Sequence, residues 1–239
     1  MRIKRYIIVV AVALCLSSCV KPTSEEVRFS ILGDSYSTFD GYVEPETNDI
    51  WTYYDRIGVT DKEQMWWAQV EAVKGWELER NNSFSGSLIC NMNFNNYYAP
   101  FSFLNRMDDL GDPDVLFVFG GTNDVWDGAP LGEFVYGPWT EEQLCMFRPA
   151  IACLFDGIKR RYPGTRLYFM LDMNLGEGYN VDSDLCRQYL ESVQQLAEYY
   201  GIRCIELHDI HKSWNHPDAR GQNDIARQVL EVLGVDFNV

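Results

Sequence analysis

Apolar positions along this chain fall into two patterns. Short, nearly continuous apolar runs occupy 27–32, 114–119, 166–171 and 202–207. Runs of that length without alternation are what strands buried on both faces look like. A fifth run, 76–80, is shorter and more polar and is also read as a strand. Between these runs, apolar residues recur at helical spacing over 63–74, 102–110, 140–162, 184–200 and 219–233. Gly75 and Gly201 stop two of these helices, and Asp112-Pro113 breaks the chain before a strand. Thr140 is suited to cap its helix, with Glu141 and Glu142 in the first turn, and Pro149 predicts a kink or interruption. The segments 39–62, 120–139 and 208–218 have no period and read as loops.

Strands that alternate with helices predict an α/β fold: a three-layer sandwich with a mainly parallel, five-stranded sheet. Sites in such folds lie at the carboxyl ends of the strands. Residues 33–35, 83–86, 120–124, 172–174 and 208–216 are therefore expected on one rim.

The N-terminus follows a different logic. Arg2, Lys4 and Arg5 precede an apolar run at 6–16 that is too short for a comfortable membrane span. Leu16-Ser17-Ser18-Cys19 then resembles a bacterial lipobox, in which the cysteine is lipidated. The expectation is a signal peptide over 1–18, a tether over 19–26 after lipidated Cys19, and a single domain over 27–239. It implies an exported lipoprotein of the periplasm or outer membrane, touching the membrane through its lipid anchor only.

A net charge of −15 repels phosphate backbones and anionic headgroups, which disfavours nucleic acid and suits a neutral substrate. Beyond Cys15 and Cys19, five cysteines remain at irregular spacing (Cys90, Cys145, Cys153, Cys186 and Cys204) with no CxxC pair. They read mostly as buried thiols, with room for one disulfide in an exported protein.

Ser35 stands at a predicted strand end, in Gly33-Asp34-Ser35. A serine hydroxyl needs a base, and imidazole is the usual activator. The three histidines, His208, His211 and His216, all fall after the last strand. His216, with Pro217 fixing the backbone behind it, is the preferred base; His208 and His211 read as surface residues. The trio lacks a strong metal-ligand spacing. Gly120-Gly121-Thr122-Asn123-Asp124 and the Asn81 to Gly86 stretch offer glycine N–H groups and an Asn amide to a developing oxyanion. The first strand–helix loop has no phosphate-cradling glycine series, which disfavours a nucleotide binder.

Gly33-Asp34-Ser35, Gly86, Gly121-Thr122-Asn123-Asp124 and His216-Pro217 have the order and spacing of the SGNH (GDSL-type) hydrolases, and the chain resembles that family from about Val27 onward. The resemblance implies a flavodoxin-like fold, Ser35 as nucleophile, His216 as base, and an oxyanion hole from Ser35 N–H, Gly86 N–H and the Asn123 side chain. It implies no metal and no cofactor. One position departs: the family's Asp three residues before the histidine is Ser213 here. Ser213 or a backbone carbonyl is left to orient the ring, with Asp209 and Asp218 nearby but wrongly spaced. The expectation is a Ser–His dyad with a weak or relocated third member, with a weakened or dead enzyme as the alternative.

Trp51, Tyr53, Tyr54, Trp126, Trp139 and Trp214 fall in or beside the rim loops, and aromatic faces suit sugar rings. The expected reaction is hydrolysis of O-acyl esters on a carbohydrate, acetyl first, with Asp34, Trp126 and Trp214 touching substrate. The competing readings are a non-catalytic glycan-binding lipoprotein on the same fold and a lipase or lysophospholipase. Oligomeric state is not legible.

Overall fold

The computed structural model describes residues 26–43, 56–92, 99–175 and 181–234. The signal segment, Cys19, Trp51, Tyr53 and Tyr54 lie outside the described residues. Five strands form one sheet: β1 (Arg28–Gly33), β2 (Glu77–Ser83), β3 (Val115–Phe119), β4 (Arg166–Asp172) and β5 (Arg203–Leu207). Their order is β2-β1-β3-β4-β5 and every pair is parallel. This is the flavodoxin-like order, with its switch point between β1 and β3.

Among the described residues seven α-helices follow in chain order: α1 (Trp66–Lys74), α2 (Phe103–Arg106), α3 (Thr122–Trp126), α4 (Glu141–Leu144), α5 (Phe147–Arg161), α6 (Ser183–Tyr200) and α7 (Ala219–Val232). The apolar runs feed two cores, one on each face of the sheet. In β3, Val115, Phe117 and Phe119 pack with Trp66, Trp67 and Val70 of α1 and Ile225 and Val229 of α7. Leu116 and Val118 point the other way, into Phe103 of α2, Ile151 and Phe155 of α5 and Val193 of α6. All five β3 side chains are buried, each stabilising by about 1.5–3 kcal/mol.

Four expectations need correction in detail. β2 runs on through Asn81-Asn82-Ser83, whose polar side chains are buried and hydrogen-bonded rather than turned to solvent. The 102–110 helix shrinks to the four residues of α2. The 140–162 helix is two helices. Thr140 caps α4, accepting from Gln143 N–H at 3.2 Å, but the break falls at Cys145-Met146. Pro149 sits in the first turn of α5, where its missing N–H costs nothing. Finally, the 208–218 loop contains an antiparallel hairpin, β6 (Lys212–Ser213) and β7 (His216–Pro217).

Gly33 is in register with both Ser83 and Phe119, and Asp172 with Leu207, so the strands' carboxyl ends line one rim. The described cysteines are free thiols, Cys90 and Cys186 buried. Among the described residues no helix is long and apolar enough to cross a membrane.

Candidate active site

Three rim turns meet below Ser35. In the first, Ser37 N–H donates to the Asp34 carbonyl at 3.1 Å and Tyr36 N–H to Asp34 Oδ1 at 3.0 Å. Ser37 anchors this turn. Its Oγ accepts from Trp66 Nε1 at 3.1 Å, and its carbonyl accepts from Trp67 Nε1 at 3.1 Å and Asn81 Nδ2 at 2.8 Å. Buried Gln222 of α7 donates to the Tyr36 carbonyl at 3.2 Å and accepts from Trp66 N–H at 2.9 Å. Ser35 thus stands half-buried on a corner braced by β2, α1 and α7.

The second turn spans residues 84–87, with Ser87 N–H donating to the Phe84 carbonyl at 3.2 Å. Gly86 is its third residue at φ +76°, the left-handed value a type II turn demands there. The turn is held to the first by Phe84 N–H on the Gly33 carbonyl at 3.0 Å. The third turn opens α3. Asn123 Nδ2 donates to the Ser87 carbonyl at 3.0 Å and lies 3.4 Å from Asp34 Oδ2, touching both other turns. Asp124 accepts from the N–H groups of Ile89 at 2.8 Å and Cys90 at 3.1 Å, locking α3 to the second loop.

Arg106 of α2 lies beneath all this, buried. It donates to the carbonyls of Phe101, Asn82 and Gly33 and to Ser87 Oγ. Burial drives the carboxyl of Asp34 up to about 7, against the Tyr36 N–H bond and the Arg106 charge. Burial likewise raises Asp124 to about 6, against its two backbone donors.

His216 arrives from the far end of the chain. Ser213 and His216 pair across the hairpin, and Trp214 and Asn215 turn the corner at φ +51° and +62°. Two successive positive values make a type I′ turn. Tyr36 Oη donates to the Asn215 carbonyl at 2.9 Å, joining the hairpin to the Ser35 turn. The imidazole packs edge-on to Tyr36, with centroids 5.5 Å apart, and near Trp126 at 6.3 Å. Trp214, 53% exposed, stacks beside it at 5.8 Å. His216 Nε2 lies 3.0 Å from Ser35 Oγ, and Nδ1 lies 3.1 Å from the Trp214 carbonyl. A carbonyl only accepts, so in the neutral ring Nδ1 carries the hydrogen and the Nε2 lone pair faces the Ser35 hydroxyl. Burial lowers the His216 pKa below the ordinary histidine value, and the Lys212 cation lowers it further, against the Trp214 bond.

The structure therefore brings together Ser35, His216 and Asn123, with the Gly86 turn against the first. Two expected roles are corrected. Ser213 is not the group on Nδ1, because the tight reversal folds the Trp214 carbonyl back onto the ring instead. Asp34 does not face substrate: it is 1% exposed and its carboxylate points inward, toward Tyr36 N–H and Asn123. Trp126 and Trp214 flank the imidazole. Trp139 packs against the core and donates to the Val135 carbonyl. His211 pairs with Asp218 at 2.7 Å, and among the described residues no cluster of acids, cysteines and histidines could hold a metal ion. Sequence reading missed Arg106, whose only signal was a lone cation in a short apolar segment, and Lys212, which carried none.

The family model for GDSL-like lipase/acylhydrolase matches residues 27–233. The crystal structure of a GDSL-like lipase from Bacteroides ovatus ATCC 8483 is 42% identical, with a TM-score of 0.78 over 87% of this chain and 98% of that one. Its counterpart from Bacteroides uniformis ATCC 8492 is 38% identical, with a TM-score of 0.78 over 87% and 96%. A carbohydrate esterase shares the fold at 18% identity and a TM-score of 0.58, over 87% of this chain and 68% of that one. No curated protein matches the chain. A parallel sheet in this order, the four motif blocks gathered on its rim and a family match over nearly all the described residues agree: the chain belongs to the GDSL-like lipase/acylhydrolase, or SGNH, family of serine hydrolases acting on esters.

Proposed function

We propose that this esterase removes O-acyl groups, acetyl foremost, from a carbohydrate, with Ser35 as nucleophile and His216 as general base. The observation that carries the assignment is the 3.0 Å contact between Ser35 Oγ and His216 Nε2, made while Nδ1–H is committed to the Trp214 carbonyl. Ser35 Oγ attacks the acyl carbon as Nε2 takes its proton. The resulting imidazolium returns that proton to the leaving alcohol. Water, deprotonated by the same nitrogen, then cleaves the acyl-enzyme and frees Ser35.

The oxyanion is received by the N–H groups of Ser35 and Gly86 and by Asn123 Nδ2. One Asn123 amide hydrogen is engaged by Ser87. The other makes only the long contact to Asp34, which burial pushes toward its neutral form. A full negative charge outcompetes such a partner. The third member is a main-chain carbonyl, which fixes the tautomer but brings only a partial charge to the imidazolium.

The sugar assignment rests on Trp214 and Trp126, whose rings flank the imidazole where the leaving alcohol must sit, and on the acidic surface, which favours a neutral substrate. The Trp214 carbonyl on Nδ1, where the family's Asp would stand, favours one second reading, a site that binds acylated glycan and turns it over slowly or not at all. Export with a lipidated Cys19 belongs to the same proposal; radiolabelled fatty acid incorporated into the wild type and not into Cys19→Ala checks it.

The test of function is a fluorophosphonate adduct mapped by mass spectrometry, together with acetate release from an acetylated polysaccharide. An adduct on Ser35 and release lost in Ser35→Ala support the esterase. Release unaffected by Ser35→Ala overturns it, and glycan binding without any release selects the second reading.

A further inference from the structure

The hairpin that presents His216 is only two residues long on each side, and such a ribbon is not stable alone. Something must hold it. From α7, His211 N–H donates to Asp224 Oδ2 at 3.2 Å, and Asp218 bridges His211 Nδ1 at 2.7 Å and Gly221 N–H at 2.9 Å. The His211 carbonyl comes so close to Gly221 that a Cβ there would lie 1.9 Å from it, so only glycine fits. From the sheet side comes a charged tie. Lys212 Nζ lies 2.7 Å from Asp172 Oδ2, with side chains 9% and 1% exposed. Asp172 is the last residue of β4, and its Oδ1 accepts from Asn174 N–H at 3.0 Å.

We infer that the buried Asp172–Lys212 ion pair is a positioning element for catalysis, clamping the histidine hairpin to the carboxyl end of β4 and so setting where Nε2 meets Ser35. The inference rests on the Ser35–His216 reading. A pair this dry is weak support for stability as such, since desolvation of both charges offsets their attraction. What it supplies is an electrostatic tie that draws the hairpin to the strand end. It also puts a cation near enough to the imidazole to act on its charge. Among the described residues, the charged and titratable groups on the elements packed about the ring are Lys212 on β6, Asp172 on β4, Asp34 and Tyr36 on the first turn, and Arg56 above the Trp214 ring. The Lys212 ammonium also lies 5.9 Å from the Tyr36 ring centre, between the hairpin and the Ser35 turn.

The experiment compares Asp172→Asn, Lys212→Met, the double variant and Lys212→Arg. Each is measured for kcat and KM on p-nitrophenyl acetate across pH, for melting temperature, and for titration of the His216 ring by NMR. The double variant removes both charges with little change of volume and is expected to fold. Its kcat falls about tenfold or more with KM within about twofold, because a misplaced base loses rate rather than binding. The single variants move the imidazole in opposite directions. Asp172→Asn leaves the cation unopposed and lowers the ring's titration. Lys212→Met removes the cation, leaves the carboxylate and raises it. Lys212→Arg keeps the clamp and retains kcat.

A double variant with wild-type kcat and pH profile overturns the inference. So does one that cannot fold, which would make the pair a stability element. Ring titrations that shift the same way in both single variants overturn it as well. The NMR readout is independent of turnover. A wild type that hydrolyses no ester would therefore fail the functional proposal while leaving the clamp's geometry separately measured.

Discussion

The turn that carries Ser35 and the hairpin that carries His216 meet at 3.0 Å, yet they are held in different ways. The serine turn is held by side chains. Two tryptophans, Asn81 and Gln222 all converge on residues 36 and 37, and Arg106 ties the strand end beneath it. The histidine hairpin is oriented at its tip by main-chain acceptors, the Trp214 and Asn215 carbonyls. It is seated at its base by the close approach of the His211 carbonyl to Gly221, together with Asp224, Asp218 and the Asp172–Lys212 pair. Side-chain restraint leaves letters to be read; main-chain restraint does not. The two halves of the same reaction centre therefore differ in legibility for a physical reason.

The comparison can be broken by substitution, from the largest effect downward. Ser35→Ala removes the nucleophile and is expected to lower kcat on p-nitrophenyl acetate by roughly 10⁴–10⁶-fold, with His216→Ala close behind, since members of such a unit fail together. Retained turnover in either would disconnect the two halves. Asn123→Ala takes one oxyanion donor and should cost about 10²–10³ in kcat with little change in KM.

Asp34 sharpens the contrast through pH. Between about pH 4 and its folded value of about 7, folded Asp34 keeps a proton that the unfolded chain has lost. Its stabilising contribution is therefore complete in acid and is lost as pH rises through 7. From pH 5 to pH 8 this removes about 2–3 kcal/mol, a fall in melting temperature of roughly 5–10 °C. Asp124 acts in the same sense over a lower range. Asp34→Asn, which keeps the acceptor for Tyr36 N–H, should flatten the slope; calorimetry at the two pH values decides. In activity, the lowered His216 pKa keeps the base neutral further into acid, so the acid limb of kcat/KM should fall below about pH 6.5, the unperturbed histidine value.

The smallest effect is the most diagnostic for the hairpin. Trp214 sits at φ +51°, which costs a side-chain-bearing residue roughly 1–2 kcal/mol. Trp214→Gly and Trp214→Ala both delete the indole but keep the carbonyl. Both should retain kcat on a small ester within a few-fold while losing affinity for a glycan ester. The glycine variant should melt about 2–4 °C above the alanine one.

The same division runs through the fold. β1, β3 and β4 are legible because strands buried on both faces are apolar almost throughout, and β5, an edge strand with Arg203 and Glu206 exposed, because its other positions are apolar. The end of β2 is not, because Asn81, Asn82 and Ser83 satisfy one another, Ser37 and Arg106 inside the protein, and buried polar letters read as a turn. Pro149 suggests a kink or interruption of the 140–162 helix, yet proline is harmless in a first turn and the break lies before it, at Cys145-Met146. At the site, Gly33-Asp34-Ser35, Gly86, Asn123 and His216 announced themselves as motif blocks. Lys212 and the Trp214 carbonyl did not: one is an ordinary loop lysine until the hairpin folds it inward, the other a group every residue owns.

That last point reaches beyond this chain. A census that sorts relatives into live and dead by the acid preceding their final histidine would discard this one. An alanine scan would pass over position 214 without finding the group that turns the imidazole, since every replacement brings its own amide. Exchanging the peptide link after Trp214 for an ester, by semisynthesis, is the edit that weakens that acceptor while sparing the indole.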